Sequence, residues 1–174
     1  MTESLFTVVS AWLLAAIFAV ALRHKLTSWA RFCASLQAYE LVPVSLTKAV
    51  AALLVVAELV AIVGLVPVYA FGFAVAAILL FVYFLAILIN MLRGRSFIDC
   101  GCGDEPTGLS SWLITRNLVL TGIATVGFFA VANISLGVVL IGLGCAVVAY
   151  LLYAALDQMI TNHSLHRRLW LEEA

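Results

Sequence analysis

The sequence predicts an all-α, polytopic membrane helix bundle with about five spans: a four-helix core, an additional C-terminal transmembrane helix, and an amphipathic helix at the interface. Two observations carry this class. Of 174 residues, 66% are hydrophobic and 10% charged, whereas a soluble globule is usually about half apolar and about a quarter charged. The apolar residues also come in runs long enough, at about 1.5 Å per helical residue, to cross a hydrocarbon core of about 30 Å. These runs take up most of the length, so residues 1–174 read as a single integral membrane domain. A formal net charge of zero argues against the clustered basic surface that a nucleic-acid partner requires.

The elements follow from the apolar runs and their interruptions. A first span covers roughly residues 4–22; no basic residue precedes Leu5, so it lacks the leading region of a cleavable signal and reads as a retained helix. Residues 23–47 form a long polar connection in which Trp29, Phe32, Leu36 and Tyr39 recur at helical spacing opposite charged neighbours. That pattern predicts an amphipathic helix lying in the interface and ending before Pro43. Spans at roughly 48–66 and 69–92 are separated by a tight turn at Pro67. A second long connection, residues 93–111, precedes spans at roughly 112–132 and 135–158, which meet at Asn133.

Charge supplies a topology. Arg23, Lys25, Arg31 and Lys48 belong to the first long connection, Arg93, Arg95 and Arg116 to the second or its edge, and Arg167 and Arg168 to the tail; these nine are all the basic residues. With five spans the three segments share one face, and the positive-inside rule makes that face cytoplasmic in a plasma (inner) membrane protein.

The chemistry concentrates in the second connection, "RGRSFIDCGCGDEPTGLSSW". Cys100 and Cys102 flank Gly101, whose backbone freedom permits a very small disulfide ring. Strain in such a ring favours exchange over a structural role. Arg93, Arg95 and the following helix N-terminus favour a thiolate, while Asp99, Asp104 and Glu105 oppose it. Cys33 falls on the same face, so three thiols could meet there. Cys145 sits mid-span and reads as a small buried apolar residue. The alternative to redox work is a structural or metal-binding loop. His24, His163 and His166 share the face, yet they show no ligand spacing, and no metal is expected.

Polar residues within the spans give the remaining candidates. Glu58 lies near the middle of its helix, where an ionisable group costs about 3 kcal/mol or more unless it faces the bundle interior with a partner or as a neutral group. It reads equally well as a proton carrier or head-group contact and as a paired structural residue. Asn90 ends the third span; Arg116 and Asn117 open the fourth, where Arg116 suits a head-group anchor or a tie to the acidic loop residues. Asp157, at a helix end, requires no special role.

Together, "RHKL", "YELVP", the mid-helix Glu58, "LRGRSFIDCGC" and "LSSWLITRN" resemble the methylamine utilisation protein MauE family, relatives of the DoxX-like membrane proteins, over roughly residues 20–130. One departure is that Gly103-Asp104 follows the cysteine pair where the family tends to read Phe-Gly. The resemblance implies a multi-pass protein that matures a periplasmic, disulfide-rich methylamine dehydrogenase subunit beside a thioredoxin-like partner. It makes Cys100 and Cys102 the redox pair, and it places them on the opposite face from the one that charge suggests.

The expectation is therefore a membrane thiol-disulfide oxidoreductase, in which one cysteine of the pair forms a mixed disulfide with a client and the other resolves it, with Cys33 as a shuttle. The four-helix core resembles in outline the vitamin K epoxide reductase bundle. By that analogy a lipid quinone is a candidate electron partner, with Glu58, Asn90, Arg116 and Asn117 as head-group contacts. A non-enzymatic assembly factor with a structural or metal-binding cysteine loop is the alternative.

Overall fold

In a computed structural model, which describes residues 2–95, 109–131 and 135–172 and their side chains up to residue 162, the chain forms six α-helices and one short 3-10 turn among the described residues. They are α1 (Thr2–Thr27), α2 (Trp29–Ala38), the 3-10 turn (Val44–Leu46), α3 (Thr47–Leu65), α4 (Ala70–Leu92), α5 (Ser111–Phe129) and α6 (Leu136–Glu172). Five of these helices, α1 and α3 to α6, are long and apolar enough to cross a membrane. The protein is an integral, multi-pass, all-α membrane protein.

α1, α3, α4 and α5 make the core, and each presents one stripe inward at three- and four-residue spacing. The stripes comprise Ala11, Leu14 and Phe18 on α1, Ala51, Ala61 and Leu65 on α3, Phe73, Ala76 and Leu80 on α4, and Leu113, Leu120 and Ala124 on α5. α6 packs on the outer side of α1. Only 11% of its most apolar stretch is buried, against 28% to 39% for the other spans, so its remaining surface faces lipid. Cys145, expected to be buried, lies on that exposed surface, where the bilayer supplies its apolar surroundings.

Two helices run further than the sequence suggests. α1 continues through Arg23, His24 and Lys25 to Thr27, because lysine and arginine are good helix formers and cations favour a helix C-terminus. Lys25 therefore belongs to a span and not to the first connection. α6 likewise continues past residue 158 to Glu172. α2 follows α1 after a bend at Ser28, whose amide still donates to the His24 carbonyl at 3.0 Å. It is the expected amphipathic helix: Phe32, Ser35 and Tyr39, at its C-terminus, are buried, while Arg31 and Gln37 are exposed.

The tight turns have physical causes. α3 ends in a Schellman motif: Tyr69 N–H donates to Gly64 O at 2.8 Å and Val68 N–H to Leu65 O at 2.9 Å. Val68 takes the left-handed position with φ of +62°, an unusual role for a branched residue. Pro67 immediately precedes it. α4 ends in the same way with Gly94 at φ +73°, Arg95 N–H donating to Asn90 O at 3.0 Å. Gly94 thus stops the helix inside "RGR". The turn at Asn133 lies outside the described residues.

α3 and α4 approach each other through glycine. A Cβ on Gly72 would collide with the backbone of Gly64 and Leu65, and one on Gly64 with the backbone of Gly72. Small residues let helix backbones come close where lipid offers no hydrophobic drive for association. Gly72→Val should lower unfolding stability by about 1–3 kcal/mol, the range for overpacking a well-filled site, read as a drop in the thermal unfolding temperature in detergent.

Candidate functional site

Among the described residues the interior contains one strongly polar centre, assembled from three helices. Lys25 follows Phe18 by seven residues on the inward stripe of α1, Glu58 follows Ala51 by seven on α3, and Tyr83 follows Ala76 by seven on α4. Lys25 Nζ donates to Glu58 Oε1, and Tyr83 OH donates to the same oxygen at 2.7 Å. The ammonium also lies 3.2 Å from the Tyr83 hydroxyl, 4.9 Å from the centre of the Tyr83 ring and 5.3 Å from that of Phe32 on α2. Glu58 is completely buried and Lys25 nearly so. Glu58 therefore faces the bundle interior as expected. It does so as a charge-paired group, with Oε2 lacking a hydrogen-bond partner among the described residues.

Lys25 and Tyr83 were not legible as site residues. Their only sequence signal is phase, a seven-residue step from buried neighbours, which is lost if the first helix is ended at its first charge. Taking one partner from a buried ion pair leaves an uncompensated charge.

A second cluster forms where the two long connections meet. Tyr39 packs in a buried group with Ile87 at the end of α4, Leu109 before α5 and Leu113 in its first turn. The next residue, Glu40, has φ of +49°, and its Oε2 accepts from Arg95 Nη2 at 2.7 Å. The Arg95 hydrogen bond is the main cause of a Glu40 pKa below its usual 4.5; desolvation opposes it, and the charges of Arg95 and Arg93 add smaller contributions in the lowering direction.

Of the sequence-predicted residues, Cys100 and Cys102 lie outside the described residues. Cys33 is on α2, half-buried, at the same end of the bundle as Arg95 and Leu109. Asn90 is fully buried; its Nδ2 donates to Ala86 O at 3.0 Å, and its Oδ1 has no partner among the described residues. Asn117 is buried one helix away, its Nδ2 donating to Leu113 O at 2.8 Å.

Arg116, whose expected acidic loop partners lie outside the described residues, takes a partner within them. It bridges to Asp157 on α6, with Nη1 3.2 Å from both carboxylate oxygens, and Trp112 Nε1 donates to the same residue at 2.9 Å. Asp157 thus ties α6 to α5 and has a definite role, in contrast to the sequence reading. The carboxylate lies within reach because α6 turns back along α5, bringing the first turns of α5 beside the middle of α6.

These features define a class: a five-span membrane bundle built around an internal Lys-Glu-Tyr cluster, with its long connections gathered at one end. The chain belongs to the family of methylamine utilisation protein MauE, whose model matches residues 3–130 and so takes in α1 from its second residue. It is 40% identical to the methylamine utilization protein MauE of Paracoccus denitrificans over 117 residues and 44% identical to that of Paracoccus versutus over 115, each alignment covering 64% of this chain. The chain spans 62% of the length of these two relatives. With the Methylophilus methylotrophus protein it shares 36% identity over 164 residues, 87% of this chain and 86% of the relative. No solved structure matches. Family membership links the chain to methylamine utilisation.

Two outcomes follow. Lys25→Met should destabilise the bundle by about 3–5 kcal/mol by stranding Glu58, and the double change with Glu58→Met should recover most of the loss, both read from unfolding in detergent. Because Glu40 has a lowered folded-state pKa, its contact with Arg95 should be fully formed above pH 4.5 and lost only as pH falls through the lowered value, read from the Glu40 carboxyl signal by NMR.

Proposed function

We propose that this protein is a membrane thiol-disulfide oxidoreductase that acts in the redox maturation of a partner protein in methylamine utilisation. The observation that carries this reading is the Cys100-Gly101-Cys102 sequence, set in a connection whose flanking residues Arg95 and Leu109 lie at the same end of the bundle as Cys33. A thiolate of the pair attacks a disulfide of the partner and displaces one of its sulfurs. The second cysteine then attacks the mixed disulfide, leaving an oxidised pair and a reduced partner; the reverse sequence oxidises the partner. Both directions balance at two electrons and two protons. Cys33, one helix away, serves as the shuttle thiol. The partners are a thioredoxin-like protein and a disulfide-containing client such as the small subunit of methylamine dehydrogenase.

A lipid quinone is the proposed electron acceptor, becoming a quinol as the dithiol becomes a disulfide. Among the candidate head-group residues, Asn90 suits it best: its buried Oδ1 could accept from a quinol hydroxyl. Glu58 is enclosed by Lys25 and Tyr83, and Arg116 is engaged with Asp157. The charge bias survives the removal of Lys25 from the connection, since the other basic residues still share that end, and it favours the cytoplasmic face; the family resemblance, with its periplasmic client, places the pair on the opposite face, the side on which direct exchange with that client takes place.

In defined redox buffers, alkylation followed by peptide mass spectrometry should find Cys100 and Cys102 interconverting between dithiol and disulfide, and Cys100→Ser or Cys102→Ser should abolish partner maturation. A pair indifferent to redox buffer yet sensitive to chelators would instead establish a metal-binding or structural loop in an assembly factor.

A further inference from the structure

The Lys25, Glu58 and Tyr83 centre is built unlike a closed ion pair. An ionised carboxylate accepts at both oxygens, yet the donors Lys25 Nζ and Tyr83 OH converge on Glu58 Oε1. Oε2 is buried and has no hydrogen-bond partner among the described residues. A charged oxygen without a donor is costly in a protein interior, and each such atom in a native fold requires an explanation. Buried water settles on polar groups of this kind. The ammonium, in turn, is solvated by more than its carboxylate. Lys25 Nζ lies 3.2 Å from Tyr83 OH and faces the Tyr83 and Phe32 rings, at 4.9 and 5.3 Å from their centres, and ring faces attract a desolvated cation. A proton placed on Oε2 makes Glu58 neutral but leaves Oε1 as the acceptor for both Lys25 and Tyr83, so no member of the cluster is stranded. Solvent is also within a short distance along the chain: Lys25 is two residues from the end of α1, and the next residues, Leu26 and Thr27, are exposed.

We propose that this centre is a proton-accepting site in the bundle interior: Glu58 Oε2 takes a hydrogen bond from a trapped water, and then its proton, while Tyr83 and Phe32 keep Lys25 charged. In that step an O–H bond of the water breaks and one forms on Oε2, and the water regains a proton from the solvent side. The net change is one proton moved from solvent onto Glu58, and its return restores the ion pair. Tyr83 shares in the exchange, because its hydroxyl donates to the same carboxylate and passes its own proton on when the carboxylate takes up another. The inference goes beyond the oxidoreductase reading and stands whether or not any thiol exchanges.

The test uses the full-length protein in nanodiscs. After transfer to D2O, the Tyr83 hydroxyl is followed by its infrared band, assigned by subtracting the spectrum of Tyr83→Phe, and amide exchange in α3 and α4 serves as the clock for unfolding. The hydroxyl should exchange about tenfold or more faster than those amides, which open only with the bundle. The double variant Lys25→Met with Glu58→Gln keeps an oxygen to accept from Tyr83 but takes up no proton. In it, hydroxyl exchange should fall about tenfold or more, toward the rate of the amides, with thermal unfolding close to wild type. If that variant does not fold, Glu58→Asp takes its place: it keeps the charge but draws the carboxylate back by one methylene, and it should slow the exchange likewise. A wild-type hydroxyl that exchanges no faster than the core amides would establish a sealed, structural ion pair and overturn the proposal. Rapid exchange that the folded variant leaves unchanged would overturn it as well, because the proton then bypasses Glu58.

Discussion

A lysine and a glutamate that must meet in the interior of a membrane bundle constrain much of this structure. Neither Lys25 nor Glu58 is tolerable alone at that depth, since a lone charge in low dielectric is left without solvation. Their pairing fixes the rotation of α1 against α3, because both side chains have to point inward at the same level. Tyr83 extends the constraint to α4 through its bond to the shared carboxylate oxygen. Phe32 extends it to α2, the helix that bears Cys33, by placing a ring near the ammonium. One polar cluster thus registers four of the six described helices.

Around that centre the bundle is closed by contacts suited to a lipid solvent. Apolar side chains gain little by leaving lipid for a protein interior, so close backbone approach and internal polar bonds carry the association. The glycine contact of α3 with α4 supplies the first, and the bridge from Arg116 and Trp112 to Asp157 supplies the second for the peripheral α6. The same logic organises the end where the long connections lie. Tyr39 is buried with residues flanking the cysteine connection and Glu40 pairs with Arg95, so that end is held by one apolar and one ionic contact.

Membership of the MauE family gives this arrangement a biological frame in methylamine utilisation. Several residues that carry the family resemblance in the sequence acquire physical roles in the fold. Lys25 of "RHKL" and the mid-helix glutamate are two halves of one ion pair; Tyr39 and Glu40 of "YELVP" and Arg95 of "RGR" belong to one junction. Fragments far apart in the chain are in contact in space.

The sequence by itself determined the class, the five spans, the tight turn at Pro67, the amphipathic α2 and the inward direction of Glu58, because each follows from a local count of apolar residues or their period. It also located the cysteine pair, whose proposed chemistry depends on adjacency along the chain. Only the tertiary structure decided which partner Glu58 takes, that Lys25 belongs to a helix interior, that Asp157 receives Arg116, and that the two long connections are joined. Charge reads as a solvated boundary in a one-dimensional pattern, so a buried cation reads as a loop residue and a bridging carboxylate as an ordinary helix end. Pairing is a property of helix rotation and antiparallel register, and those are set by packing among segments that no local window contains.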